Sequence, residues 1–181
     1  MQHVLRWLRG IEEYIAGFGT LRVEFPQRCA GCGCSKFYRW GKYERNLIDD
    51  VTAYRVPIRR VCCTKCRGTV SYLPDFCISR VQYSVSFVMG LLQWLAAGVG
   101  PAPESAASQE HIRRRGYAYR RRFERGESLW LTFLRGLRIK MVPPKGKART
   151  RELFFALRRL WEAGELLCGF NSATGRHFMA G

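Results

Sequence analysis

Acid is what this sequence has least of: 14 Asp and Glu stand against 31 Lys and Arg, a formal net charge of +17. Those 14 acids and three histidines leave little material for general acid–base or two-metal chemistry. The aspartates are Asp49, Asp50 and Asp75, and the first two adjoin in a segment that reads as a polar hairpin turn. There is no Gly-x-Gly-x-x-Gly fingerprint, no P-loop and no Ser/His/Asp order suited to a nucleophilic hydrolase. The expectation is a protein that is not an enzyme. Long hydrophobic runs are missing too. The most apolar stretch, Val81 to Val99, is interrupted by Gln82, Ser84, Ser86 and Gln93, short of the roughly 20 apolar residues of a membrane span. Met1-Gln2-His3-Val4 leads into an amphipathic pattern with Glu12 and Glu13, not into a signal peptide. The expected location is therefore cytoplasmic and nucleoid-associated. There the eight cysteines would be reduced thiols or metal ligands, not disulfides.

What is present is a chain able to fold and strongly attractive to polyanions. Its 181 residues are 47% hydrophobic and 13% aromatic, enough for one domain or two small ones with real cores. The charge is uneven. Residues 1–25 are neutral, 26–82 carry +7, 83–109 carry −1, 110–142 carry +7 and 143–181 carry +4. Two regions thus emerge as candidate polyanion surfaces: a cysteine-rich module, and the segment that follows the apolar run.

The cysteine module contains Cys29-Ala30-Gly31-Cys32-Gly33 and Cys63-Thr64-Lys65-Cys66-Arg67-Gly68. Each Cys-x-x-Cys turn places two thiolates on one side of a tight knuckle, and two facing knuckles give four sulfurs at tetrahedral corners, which suits Zn²⁺. Cys29, Cys32, Cys63 and Cys66 are the predicted ligands. Gly33 fits a knuckle, where a Cβ would interfere. Buried free thiols are the plain alternative. A redox motif would want a βαβ pattern, which is missing. Cys34 and Cys62 adjoin the pairs and could replace a ligand; Cys77 and Cys168 read as core residues.

The rest of the chain gives an α+β reading: a small antiparallel zinc ribbon followed by a mainly helical, helix-turn-helix-like part. Residues 3–16 show helical spacing (Val4, Leu5, Leu8, Ile11, Ile15), and 21–25 alternate as a strand. Strands are predicted over 37–40, with Gly41-Lys42 as turn or bulge, over 51–61, with Pro57 at an edge, and over 70–73. Ser79-x-x-Gln82 matches a capping box before a buried helix over 83–97. A short helix over 103–108 and a basic helix over 111–125 follow, with Ser108 as the N-cap of the latter. Ile112, Gly116, Tyr119 and Phe123 fall on one stripe of that helix, and arginines cover the rest. Gly116 is a cost of about 1 kcal/mol in mid-helix. Residues 128–141 are amphipathic, 143–147 form a linker loop, and a last helix runs from Thr150 through Leu167. No role follows for the tail 169–181. The parts are 1–25 (helix and strand), 26–78 (zinc ribbon), 79–126 (helix-turn-helix-like) and 127–181 (C-terminal helices and tail).

Buried helix, short helix, basic helix is the order of a helix-turn-helix, whose last helix enters the major groove. Arg113, Arg114, Arg120 and Arg121 are the candidate groove or phosphate contacts, with Arg59 and Arg60 as auxiliary phosphate contacts. A solvated charged face is the alternative. The motifs Cys29-x-x-Cys32-Gly33, Tyr38-Arg39-Trp40-Gly41-Lys42-Tyr43, Arg55-x-Pro57-x-Arg59-Arg60-x-x-Cys63-x-x-Cys66 and Tyr72-Leu73-Pro74 resemble bacterial zinc-ribbon/helix-turn-helix proteins of mobile elements. They are similar to the non-catalytic N-terminal part of insertion-element transposases, and to small stand-alone proteins of unassigned function. The resemblance implies Zn²⁺ as cofactor, double-stranded DNA as partner and a transposition-related or regulatory role, with no membrane. It departs from the pattern at Ala30, where proline is common, and in lacking a following acidic triad. Two other readings remain: an accessory protein-interaction subunit docking onto a transposase or nuclease, and a structured-RNA binder using Phe37, Tyr38, Trp40 and Tyr43 as an aromatic platform.

Overall fold

Two segments rich in β-branched and aromatic residues, Phe37–Asp49 (β2) and Thr52–Cys63 (β3), form a long antiparallel hairpin. The structure is a computed structural model, and it describes residues 2–7, 9–97, 102–105, 108–125, 127–136, 138, 152, 153 and 155. The hairpin turns through Asp50, which takes φ +49, a conformation Asp tolerates better than most residues. Thr69–Pro74 (β4) pairs antiparallel with β3 from Arg59↔Tyr72 to Cys62↔Thr69. Gln2–Leu5 (β1) then adds parallel to β4, giving the order β1-β4-β3-β2. With the four helices delimited among the described residues, this is an α+β fold on a mixed sheet.

The N-terminal helix expected over 3–16 is corrected. Its first part is β1, and only Ile11–Gly17 (α1) is helical. The reason is tertiary: β4 would otherwise expose an unpaired edge, and the backbone of residues 2–5 satisfies it. Gly10, extended at φ −67 and ψ 168, separates the two. The strand expected over 21–25 is also corrected, since those residues enter no ladder. They are tied to the sheet by the Tyr72 hydroxyl, which donates to the Glu24 carbonyl at 2.6 Å.

Pro57 sits at an edge within a central strand. The β3–β4 ladder ends at Arg59, so no strand lies beside Pro57 on that side. The space is filled by α1: Tyr14, fully buried, donates its hydroxyl to the Pro57 carbonyl at 3.0 Å. Arg59 Nη2 donates to the Phe18 carbonyl at 2.9 Å. Tyr14, Phe18, Leu47, Val56, Ile58 and Leu73 form the core between α1 and the sheet.

The helical layer comprises Val85–Ala97 (α2), Gln109–Arg125 (α3) and Glu127–Gly136 (α4). The Ser79-x-x-Gln82 box is not the cap: Arg80 takes φ +60 and the segment is a turn. Ser84 does the capping, its Oγ accepting the Phe87 N–H at 2.9 Å. Ser108 caps α3 as expected, accepting the His111 N–H at 3.3 Å. Residues 102–105 carry no helix, so the short helix expected over 103–108 does not begin at Pro103, and 106 and 107 lie outside the described residues. Phe87, Val88, Leu91, Ile112, Tyr119, Trp130, Phe133 and Leu153 share one buried cluster. The linker at 143–147, nearly all of the last helix, Cys168 and the tail lie outside the described residues. Among the described residues no helix is long and apolar enough to cross a membrane.

The hairpin tip joins sheet to helices. Ile48 donates to the Gln82 carbonyl at 2.7 Å and accepts from the Ser84 N–H at 2.9 Å. The Arg45 guanidinium donates to the carbonyls of Ile78 and Val81. The Asp49 carboxylate accepts the hydroxyls of Ser84 and Ser86. What reads as a polar turn in sequence is a clamp on the start of α2.

Candidate metal centre and cationic surfaces

Both knuckles are built on one backbone plan. In the first, the Gly33 N–H donates to the Cys29 carbonyl at 2.8 Å and the Cys29 N–H to the Cys34 carbonyl at 2.8 Å. In the second, the Arg67 N–H donates to the Cys63 carbonyl at 3.1 Å and the Cys63 N–H to the Gly68 carbonyl at 2.9 Å. The residue after each second cysteine is left-handed: Gly33 at φ +71 and Arg67 at φ +62. Glycine adopts this freely, whereas Arg67 holds it against the usual side-chain penalty. Gly68 relieves a tight contact, since a Cβ there would lie 3.2 Å from Cys66 Sγ.

The hairpin brings the knuckles face to face, because Phe37, just past the first, is paired with Cys63, which opens the second. The sulfurs of Cys29, Cys32, Cys63 and Cys66 all lie within 4.8 Å of one another. Cys29–Cys66 is 3.5 Å and Cys32–Cys63 is 3.6 Å. Four thiolates about 2.3 Å from a central ion would stand about 3.8 Å apart. The cluster therefore fits a single tetrahedral metal ion. Its electrostatics point the same way. The Cys29 thiol is held down to about 7, first by the Gly31 N–H and then by the Cys66 side chain. Cys63 is also lowered, chiefly by the Cys66 N–H. The Gly68 N–H by itself would lower Cys66, but the other three cysteines and burial outweigh it and push that thiol up to about 12. Four crowded sulfurs cannot all ionise without a cation among them; three, those of Cys29, Cys63 and Cys66, already have backbone donors in place for the thiolate.

The other cysteines point elsewhere. Cys34 Sγ accepts the Lys36 N–H at 3.4 Å and lies 3.7 Å from Thr64 Oγ1. Cys62 Sγ is directed at the Arg67 carbonyl at 3.4 Å. Cys77 is buried in the core beside α1, and burial pushes its thiol up to about 12.

The candidate arginines divide by environment. Arg59 is bonded to the Phe18 carbonyl, and its guanidinium lies 4.7 Å from the Phe18 ring. Arg60 lies 5.3 Å from the Tyr43 ring. On α3, Arg114 pairs with Glu110 at 2.6 Å and Arg120 with Glu124 at 2.9 Å. Arg113 and Arg121 are exposed and enter no ion pair among the described residues. Between them, at helical spacing i±4, stands Tyr117, 53% exposed. The sequence reading passed over Tyr117; its four-residue spacing from both arginines was the available signal. Opposite this stripe, Ile112, Gly116 and Tyr119 are buried. A Cβ on Gly116 would meet Leu95 Cδ1 at 3.0 Å and Leu91 Cγ at 3.2 Å, so this mid-helix glycine is where α2 and α3 approach.

Residues 29–114 match a protein family described as Domain of unknown function (DUF6431). The similarity runs from the first candidate ligand, through the hairpin and α2, to the second arginine of α3. No curated protein and no solved structure matches the chain.

Proposed function

We propose that this chain is a non-catalytic, zinc-stabilised DNA-binding protein, of the kind found in the mobile-element proteins it resembles. Its ribbon is the part of the sheet from the knuckles to the hairpin tip, and α2 and α3 take the place of a helix-turn-helix pair. Zn²⁺ is the ion best suited to the four-cysteine set, since all-thiolate tetrahedral sites favour it and a closed site of this kind is structural. The metal would supply folding energy to the knuckles, not chemistry.

The observation that carries the nucleic-acid reading is the exposed stripe Arg113–Tyr117–Arg121 on a helix whose opposite face is buried. A helix fixed on one side and cationic on the other is what a phosphate backbone or a groove receives. Arg114 and Arg120 flank the stripe and can exchange their exposed intrahelical pairs, each of little worth in water, for phosphate. Arg59, bonded within the fold, contributes by position more than by contact.

The test is duplex binding across a salt series. Replacing both Arg113 and Arg121 with alanine should weaken binding and reduce the slope of log affinity against log salt by about 2, one per lost phosphate contact. An unchanged slope would reject the α3 surface. Tighter binding of a structured RNA than of any duplex would move the reading to RNA.

A further inference from the structure

The knuckle end of the sheet carries a second feature that duplex binding by α3 leaves unused. Residues 25–43 and 58–74 hold eight Lys and Arg and no Asp or Glu. In this acid-free region β2 contains a bulge: the pairing passes from Arg39↔Val61 to Gly41↔Arg60, leaving Trp40 opposite no residue. Gly41 makes the bulge possible at φ +96. β2 is the outermost strand, so no neighbouring strand covers Trp40, which is 46% exposed. A single exposed apolar side chain needs no explanation by itself. Here, though, the backbone is bent where the side chain is presented, and bulges commonly serve to re-aim one.

The surroundings are those of a stacking site. Tyr38 stands edge-on to Trp40, with ring centroids 5.7 Å apart at 77°. Its hydroxyl accepts from Arg67 Nη1 at 2.8 Å, and the same guanidinium lies 5.7 Å from its ring. Arg67 is the residue held left-handed in the second knuckle, so the pair is positioned by the metal module itself. Arg39 and Lys42, both exposed, flank Trp40 on the strand, the Lys42 ammonium lying 5.8 Å from the Phe18 ring. Phe37 is buried and Tyr43 lies beneath Arg60, so the aromatic platform reduces to one accessible ring supported by a second.

We propose that Trp40 is a stacking site for an unpaired nucleobase, and that the knuckle end of the sheet holds single-stranded nucleic acid through it. Indole offers the largest π-face, every base can stack on it, and the flanking cations take the phosphates on either side. The inference rests on the nucleic-acid reading above but not on the α3 contact.

The experiment uses the full zinc-loaded chain and three labelled ligands: an oligothymidylate of about 15 nucleotides, an abasic strand of the same length and charge, and a duplex. The wild type should prefer the thymidylate over the abasic strand by about tenfold. Trp40→Leu, which keeps apolar bulk, should abolish that preference; Trp40→Phe should retain part of it; duplex affinity should stay unchanged in both. Equal affinity for thymidylate and abasic strands would overturn the proposal, and so would Trp40→Leu weakening all three ligands alike. A duplex bound without any thymidylate preference sinks this inference alone. A preference that survives Arg113→Ala/Arg121→Ala while duplex binding is lost supports it independently of α3.

Discussion

The knuckle end of the sheet and the helical layer hold themselves together by different means. Around the knuckles, four sulfurs converge within 4.8 Å, and the buried cluster beside them is small, with Phe37, Val61, Val70 and Tyr72 as its main apolar members. The helical layer gathers Phe87, Leu91, Ile112, Trp130, Phe133 and many others in one cluster, with no metal-ligand group among the described residues there. With the proposed zinc bound, the first region would depend on coordination, which is local and strong; the second depends on apolar burial, which is distributed. Between them, the Ile48, Arg45 and Asp49 contacts at the hairpin tip join the sheet to the helical layer.

The sharpest way to break that comparison is to remove the metal. Chelation, or Cys63→Ser, should cost the knuckles most of their order, since a structural zinc contributes on the order of 10 kcal/mol in small modules. Amide exchange should then become fast at residues 29–42 and 59–69 while α2 and α3 keep their protection. Simultaneous melting of both regions would show one cooperative unit. The converse change comes next: Leu91→Ala should destabilise the helical layer by about 2–5 kcal/mol in urea unfolding. Cobalt uptake at the four thiols should be unaffected.

Gly116→Ala sharpens the comparison further. An added methyl gains about 1 kcal/mol of helix propensity, but it enters a site where Leu95 Cδ1 would stand 3.0 Å away. Overpacking typically costs about 1–3 kcal/mol, so the net change should be a modest loss, measured as a lower urea midpoint. Tyr14→Phe should cost about 1 kcal/mol by leaving the Pro57 carbonyl without its donor. Smallest of all, Cys34→Ser should leave the metal stoichiometry at one ion per chain, because its sulfur is directed at Lys36 and Thr64. A halved metal content would return Cys34 to the ligand set.

The candidate site was more legible than the fold around it. Cys-x-x-Cys spacing dictates a knuckle by local geometry, and Gly33 belongs to it for its φ of +71, not for the space expected, since nothing lies within 4 Å of a Cβ there. The matching position in the second knuckle was hidden, because Arg67 carries no signature of positive φ. The N-terminal segment was misread since helical spacing at Val4, Leu5 and Ile11 also serves a strand followed by a helix. Only the open edge of β4 decides for a strand. The capping box at Ser79 lost to Ser84 because Ser84 is held by both Ile48 and Asp49 across the chain. Asp49 reads as a turn residue and Gly116 as a cost in sequence, and Arg45 carries no signal there, yet each acts through a partner distant in the chain.

By itself, then, the sequence determined what short-range chemistry can determine: two Cys-x-x-Cys knuckles, the strands between them and after the second, a buried helix, a Ser108-capped basic helix and an excess of positive charge. Tertiary structure alone decided the parallel addition of β1, the closeness of α2 to α3 at Gly116 and the exposure of Trp40 at the bulge that Gly41 signals. It also decided which arginines are held in intrahelical pairs and which are not. The physical reason is range. Turn geometry, capping and periodicity act over a few residues, whereas edge satisfaction, close packing and exposure depend on what the rest of the chain brings alongside.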